Sequence, residues 1–367
     1  MILHLVTDEQ FTDYAIMQFS DPKMQSEFVL IPSNHENWTV KLIDKCTIIE
    51  QNSPEFEALL NRLNQYTGII LHGMFWPNWQ KPILERVPKN VKVAWMVFGG
   101  EIYGQPDISS TFLAPITKFV VRLRSIKKRS KSVAPQKDAL ELYHHIDYCL
   151  TDMHEEYEFA KNYTGGSFKH LWYNYYSIEE TIGSLKDKQC KGSNILIGNS
   201  ASIKNNHLDV LWQLWKFGLL RKLKDQKIIM PLSYGGKWVH NLVKKVGSFV
   251  LGKRLQVLDT YIPREEYNAL MLSCSTVILG YWEPAAQGNI ITSLWLGMRV
   301  YLSEKSLSYQ YFKRIGCAIY SIEKDLKHYG YTPMEQKDVE QNRAILLQWY
   351  AKENMHKRNL EIVKALS

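Results

Sequence analysis

The stretch Gly280-Tyr-Trp-Glu-Pro-Ala-Ala-Gln-Gly-Asn-Ile-Ile-Thr-Ser-Leu-Trp295 decides the fold. The apolar run that leads into it, Thr276-Val-Ile-Leu-Gly280, reads as a buried strand, and a helical pattern follows from about Ile290 to Leu296. Gly297 stands where a C-cap belongs, and Arg299-Val-Tyr-Leu302 opens another strand. Gln287, Gly288 and Asn289 therefore fall at a helix N-terminus, just past the carboxyl end of a strand. Free backbone N–H groups and the helix dipole suit that place to a phosphate. In open α/β sheets the ligand crevice lies at those strand ends. The bland reading is a plain strand-to-helix turn, in which Gly and Asn only supply geometry.

The same alternation extends in both directions. Upstream, Asn194-Ile-Leu-Ile197 predicts a strand that runs into Gly198-Asn199-Ser200-Ala-Ser202, then a helix over about 206–223. Lys227-Ile-Ile-Met230 predicts the next strand, ending in Pro231-Leu-Ser233-Tyr234-Gly235-Gly236. Pro263–Met271 reads as a helix with proline in its first turn. The first half repeats the theme with short apolar runs at 2–6, 28–31, 47–49, 68–71 and 91–97. Ser53 and Pro54 start one of the intervening helices as N-cap and first residue. Strand alternating with helix argues for parallel, doubly wound sheets.

A chain of 367 residues exceeds one ordinary core and suggests two domains. We place a first domain at 1–176, a polar linker at 177–193, a second domain at 194–345 and a C-terminal helix at 346–367. The five cysteines have no paired spacing, so a disulfide framework and a cysteine metal site are not expected, and a reducing compartment fits. The opening Met1–Val6 lacks a basic n-region and reads as a strand rather than a signal peptide. No apolar run reaches the roughly 18 residues of a membrane span.

The net charge is +8, and the window Thr111–Lys137 alone holds eight basic residues and no acid. Within it Phe112, Ile116, Phe119, Leu123 and Ile126 recur at helical spacing, while Lys118, Arg122, Arg124, Lys127, Lys128 and Arg129 fill the remaining surface. A basic amphipathic helix of this kind reads as an element that lies on an anionic membrane surface. The alternative is a core-packed helix with solvated lysines. Nucleic acid is not the expected partner, because the aromatics that would stack on bases are not interleaved with the charges.

Two strands of the first half end in polar groups: Ile69-Ile-Leu-His72-Gly73 and Ala94-Trp-Met-Val-Phe98-Gly99-Gly100-Glu101. A His or Glu at such an end could serve as general base toward a hydroxyl. Singly, each also fits a structural role, His72 as a bonded core histidine and Glu101 as a helix N-terminal charge.

Together the motifs Ile195-Leu-Ile-Gly198-Asn199-Ser200, Met230-Pro-Leu-Ser-Tyr234, Tyr261-Ile-Pro-Arg-Glu-Glu-Tyr267, Ala286-Gln287-Gly288-Asn289, Leu71-His72-Gly73-Met-Phe75 and Trp95–Tyr103 resemble one bacterial family. It is that of the dTDP-N-acetylfucosamine:lipid II N-acetylfucosaminyltransferases, glycosyltransferase family 56. The resemblance spans about residues 65–320 and implies the α/β GT-B fold, two Rossmann-like domains facing across a cleft. It implies transfer of a deoxy-amino sugar from a dTDP donor to a polyprenyl-diphosphate-linked oligosaccharide, by a peripheral protein at the cytoplasmic face of the bacterial inner membrane. The 111–137 segment would then dock the acceptor domain on the bilayer. Gln287, Gly288, Asn289, Asn199 and Ser200 are expected to bind the donor diphosphate, Ser233 and Tyr234 the nucleoside, and Glu101 or His72 to act as base. No DxD-type metal site stands out, so transfer is expected to need neither metal nor cofactor, helix N-termini neutralising the leaving diphosphate. The chain departs from the family at two places. The turn after Gly-Asn-Ser usually carries an acid and an arginine but here reads Ala201-Ser-Ile-Lys204, and the loop before Gln287 is Glu283-Pro-Ala-Ala instead of basic. Readings from other classes are a non-catalytic membrane-surface protein that binds a nucleotide or glycolipid, and a sugar-nucleotide epimerase on the same fold.

Overall fold

The computed structural model describes residues 1–32, 38–75, 77–128 and 137–367. They divide into two compact units, one of residues 1–105, 137–177 and 350–367, the other of 106–128 and 178–349.

Among the described residues the first unit has seven strands: β1 (Ile2–Val6), β2 (Ser26–Leu30), β3 (Cys46–Ile48), β4 (Gly68–His72), β5 (Lys92–Met96), β6 (Tyr148–Leu150) and β7 (Lys169–Leu171). They form one parallel sheet in the order β3-β2-β1-β4-β5-β6-β7. The second unit has β8 (Asn194–Ile197), β9 (Ile228–Pro231), β10 (Leu255–Leu258), β11 (Cys274–Leu279), β12 (Arg299–Leu302) and β13 (Tyr320–Ser321). Their parallel order is β10-β9-β8-β11-β12-β13. β4 and β11 are buried along their whole length, as central strands covered on both faces must be. Each sheet grows outward from its first strand on one side and restarts on the other with its fourth. The switch points are thus β1/β4 and β8/β11, and a crevice forms above such a point because neighbouring crossovers leave in opposite directions.

Three sequence expectations change. The run 177–193 is not a loose linker. Ile178, Ile182 and Leu185 are buried, Trp295 Nε1 donates to the Lys186 carbonyl, and the segment packs on helix Gln287–Leu296. Its apolar i, i+4, i+7 spacing is hidden among charges. Second, helix Pro115–Lys128 belongs to the second unit rather than the first. Third, the C-terminal helical region is two helices broken at Ala351. Residues 336–349 of the first pack in the second unit. Lys352–Leu366 packs on the first sheet, where Leu366 lies against Gly68.

Gly280 closes β11 where backbone meets backbone. A Cβ there would sit 2.3 Å from the Asn205 carbonyl oxygen. Gly280→Ala is therefore expected to cost roughly 1–3 kcal/mol by overpacking, read as a lower urea midpoint for the second unit. An unchanged midpoint would mean that the 205–206 turn gives way freely.

Candidate nucleotide-sugar site

The loops at the β8/β11 switch point are built to stay in place. After β8, Gly198 turns the chain with φ of 69°. A Cβ there would meet His207 Nε2 at 2.3 Å, so the position needs glycine for space as well as for conformation. Asn206, itself left-handed at φ 49°, donates from Nδ2 to the Gly280 carbonyl at 2.8 Å. Its Oδ1 accepts from Ala114 N–H at 2.9 Å. Asp209, in the first turn of helix His207–Lys216, accepts from the backbone N–H of Ile116 and Thr117 at 2.8 and 2.9 Å. That carboxylate caps helix 115–128 and explains why the helix joins the second unit.

Above this frame four side chains form a donor-to-acceptor series. Asn205 Nδ2 donates to Tyr281 OH at 2.7 Å, Tyr281 OH donates to Asn199 Oδ1 at 2.7 Å, and Asn199 Nδ2 donates to Tyr234 OH at 3.1 Å. Ser200 Oγ joins it 3.2 Å from Tyr281 OH. Tyr267 bonds Asn289 and lies within electrostatic reach of Tyr234, which carries the series toward the N-terminus of helix 287–296. Three of the residues singled out from sequence, Asn199, Ser200 and Tyr234, thus meet directly, and Asn289 bonds a tyrosine close enough to Tyr234 to feel its charge. Ser233 precedes Tyr234 and is half-buried. Gln287 is the first residue of the helix, behind Ala286 at φ 55°. The space over Gly288 is open: outside its own helix backbone and chain neighbours, no atom of the described residues lies within 4 Å of where a Cβ would stand. The positive end of the helix dipole, an exposed Tyr234 ring and room beside them can take up an anionic group and a flat ring together.

Sequence reading gave no role to Asn205 or Tyr281, which are ordinary residues until the fold brings them together, and it quoted Tyr267 only as part of a motif. It also treated Lys204 and Glu283 as separate departures from a motif. In the structure they are a pair, Lys204 Nζ 2.5 Å from Glu283 Oε2, with side chains only 17% and 13% exposed. Burial raises the Glu283 pKa, and Lys204 opposes the shift. The pair bridges the loop after β8 and the loop after β11.

In the first unit His72 and Glu101 do follow adjacent strand ends, since His72 pairs with Met96 in the β4/β5 ladder. Both are buried. His72 Nε2 lies 3.1 Å from His4 Nδ1, and burial lowers its pKa to about 3. An imidazole held neutral in this way is a weak base, which favours Glu101 over His72 in that role, although His72 Nδ1 has no hydrogen-bond partner among the described residues. Glu101 differs. Its Oε1 accepts from Trp95 Nε1 at 3.1 Å and from Phe98 N–H at 2.9 Å, while Oε2 has no hydrogen-bond partner among the described residues. Burial raises its pKa to about 7 against the pull of those donors. Glu156, unnoticed in the sequence, accepts from Tyr103 OH and Thr151 Oγ1 and is raised by burial to about 8. Strong desolvation of a strand-end carboxyl is how a group is brought to titrate near neutrality.

Of the segment expected at a membrane, Arg129 lies outside the described residues, and the side chains of Lys127 and Lys128 are not described. Phe112 is buried and Ile116 half-buried at the start of the helix. Phe119 and Leu123 point outward, 61% and 47% exposed, beside the exposed Lys118 and Arg122. Arg124 turns inward, its guanidinium 4.4 Å from the centre of the Trp238 ring. Among the described residues no helix is long and apolar enough to cross a membrane.

Two parallel-sheet, Rossmann-like halves with this organisation are the GT-B fold of glycosyltransferases, and comparison with solved structures bears this out. A glycosyltransferase from Rickettsia africae ESF-5 superposes over 100% of this chain and 98% of its own, with TM-score 0.63 and 15% identity. Anabaena HepE in complex with UDP and glucose matches over 100% and 99%, with TM-score 0.61 and 10% identity. The UDP-forming α,α-trehalose-phosphate synthase of Burkholderia vietnamiensis gives the same coverage, TM-score and identity. By sequence the chain matches no family model and no curated protein.

Proposed function

We propose that the protein is a glycosyltransferase that draws its sugar from a nucleotide-sugar donor held by the second unit. The observation that carries this reading is the convergence of Asn199, Ser200, Asn205, Tyr234 and Tyr281 at the β8/β11 switch point, where β11 leads into the N-terminus of helix 287–296. Backbone N–H groups at Gln287, Gly288 and Asn289 receive the diphosphate, and Asn199 and Ser200 close on it from the β8 loop. Tyr234 and Ser233 face the nucleoside. As the sugar leaves, negative charge builds on the diphosphate, and the helix terminus stabilises it there. Glu101 is the proposed base toward the acceptor hydroxyl.

The motif resemblance refines this proposal. It makes the donor a dTDP-linked deoxy-amino sugar and the acceptor a polyprenyl-diphosphate-linked oligosaccharide, at the cytoplasmic face of the inner membrane. The outward Phe119 and Leu123 among basic residues support the membrane part.

A thermal-shift series with dTDP, UDP, GDP and ADP, each with and without Mg²⁺, tests the donor site. A ligand at a hundred times its Kd stabilises the native state by about 2.7 kcal/mol, enough to move the midpoint by several degrees. The expected result is a selective rise with dTDP that Mg²⁺ does not change and that Asn199→Ala abolishes. A rise with UDP instead would keep the glycosyltransferase and replace its donor. No rise with any diphosphate would remove the nucleotide-sugar reading.

A further inference from the structure

Helix 115–128 does not stand alone on the surface of the second unit. It packs on helix 207–216, which packs in turn on helix Lys237–Leu251. Arg124 reaches across to Trp238 at the start of the third helix. The three share an unusual outer surface. Helix 207–216 presents Trp212 and Trp215, 47% and 60% exposed, with their rings stacked at 4.7 Å. Helix 237–251 presents Phe249, 91% exposed. Positions 238 and 249 are three turns apart and within roughly 20° of one another around a helix, so Phe249 lies on the side that meets Arg124. Lys245 is on the same stripe and exposed. Helices 115–128 and 237–251 contain no acid. The one acid of helix 207–216, Asp209, is consumed in capping its neighbour. Asp259, which approaches helix 237–251, is engaged by His240 and Lys244.

We propose that these three helices of the second unit form one docking face for an anionic lipid bilayer, with Trp212, Trp215 and Phe249 as anchors beside Phe119 and Leu123. The inference rests on the peripheral-membrane reading above and changes its site. The contact is a basic three-helix face of the donor-binding unit, where a single helix of the acceptor domain was expected. Exposed apolar side chains of this size in one region are not ordinary monomer surface. Tryptophan favours the membrane–water boundary because its ring is apolar and its N–H is polar. Lysine and arginine beside it gain from the negative potential of the lipid head groups.

The test is sedimentation of the full chain with phosphatidylglycerol/phosphatidylethanolamine vesicles. Phe119→Ser/Leu123→Ser, Trp212→Ser/Trp215→Ser and Phe249→Ser are each expected to weaken partition at least tenfold with unchanged thermal midpoints. A second readout uses the conservative Trp212→Phe/Trp215→Phe variant, which should still bind but lose quenching by brominated lipid. If only the 119/123 variant loses binding, and quenching is unaffected by the 212/215 change, the three-helix face is wrong and the single-helix reading survives. If the wild-type chain does not sediment with vesicles at all, the membrane reading fails and this face with it. Tighter binding to a single-stranded oligonucleotide than to vesicles would also overturn the proposal.

Discussion

Glu101→Gln is expected to lower sugar transfer by roughly 10²–10⁴-fold, the usual contribution of a positioned general base. Gln keeps the shape and can still accept from Trp95 and Phe98 through its amide oxygen, so donor binding and far-UV circular dichroism should not change. The wild-type rate should rise with pH through about 7, because the base acts in its ionised form and burial holds its proton to about that pH. Stability should move the other way. A carboxyl whose pKa is raised from 4.5 to about 7 binds more protons folded than unfolded between those values, so its contribution to stability falls as pH rises through that window and stays low above it. Glu101→Gln removes that penalty. Relative to wild type it should gain roughly 2–3 kcal/mol between pH 5 and pH 8. Full turnover in the variant together with that gain would make Glu101 a buried structural acid and nothing more.

The second large effect is expected at Lys204 and Glu283. Removing one partner of a largely buried pair takes the opposite charge away from the other, at a cost of about 3–5 kcal/mol. Lys204→Met and Glu283→Leu should each lose that much in urea denaturation. The double variant should lose far less than their sum, because two apolar groups leave no orphan charge. The exchange Lys204→Glu/Glu283→Lys should recover most of the loss. It also restores the order of charges in the resembling family, acid on the turn and base on the opposite loop. Additive losses in the double variant would show that the two side chains act independently. Donor binding should weaken in both single variants, since the loops they join are the two walls of the switch-point crevice.

What the sequence made legible follows from the range of the interactions concerned. The strand-to-helix turn at 287–289 and the Gly198-Asn199-Ser200 turn are local patterns, and both stand where they were expected. The doubly wound class followed from alternation alone. The order of strands did not, because β8 and β11 are neighbours across some eighty residues of chain and no local period records that. For the same reason Asn205, Tyr281 and the Lys204–Glu283 pair were invisible. Helix 115–128 shows a subtler failure. Its Phe112-Ile116-Phe119-Leu123 stripe is real, but a second one through Thr117, Val120, Val121 and Arg124 is the side that packs inward. Periodicity locates an apolar stripe without saying which neighbour covers it. At His72 and Glu101, position was legible and burial was not. Desolvation separates a pKa of about 3 from one of about 7.

The two units are not consecutive along the chain, and this constrains how the protein can be made. Helix 115–128 is synthesised well before β8, and the Asn206 and Asp209 groups that hold its N-terminus leave the ribosome some ninety residues later. Helix 352–366, which covers Gly68 of β4, appears last among the elements of the first sheet. The second unit lacks its β-sheet until β8 and the strands after it are made, and the first cannot be completed until the whole of the second has been translated. A basic amphipathic segment therefore waits unpartnered during synthesis, and a cut at the apparent boundary near residue 177 would yield two fragments, each lacking a helix that the other carries.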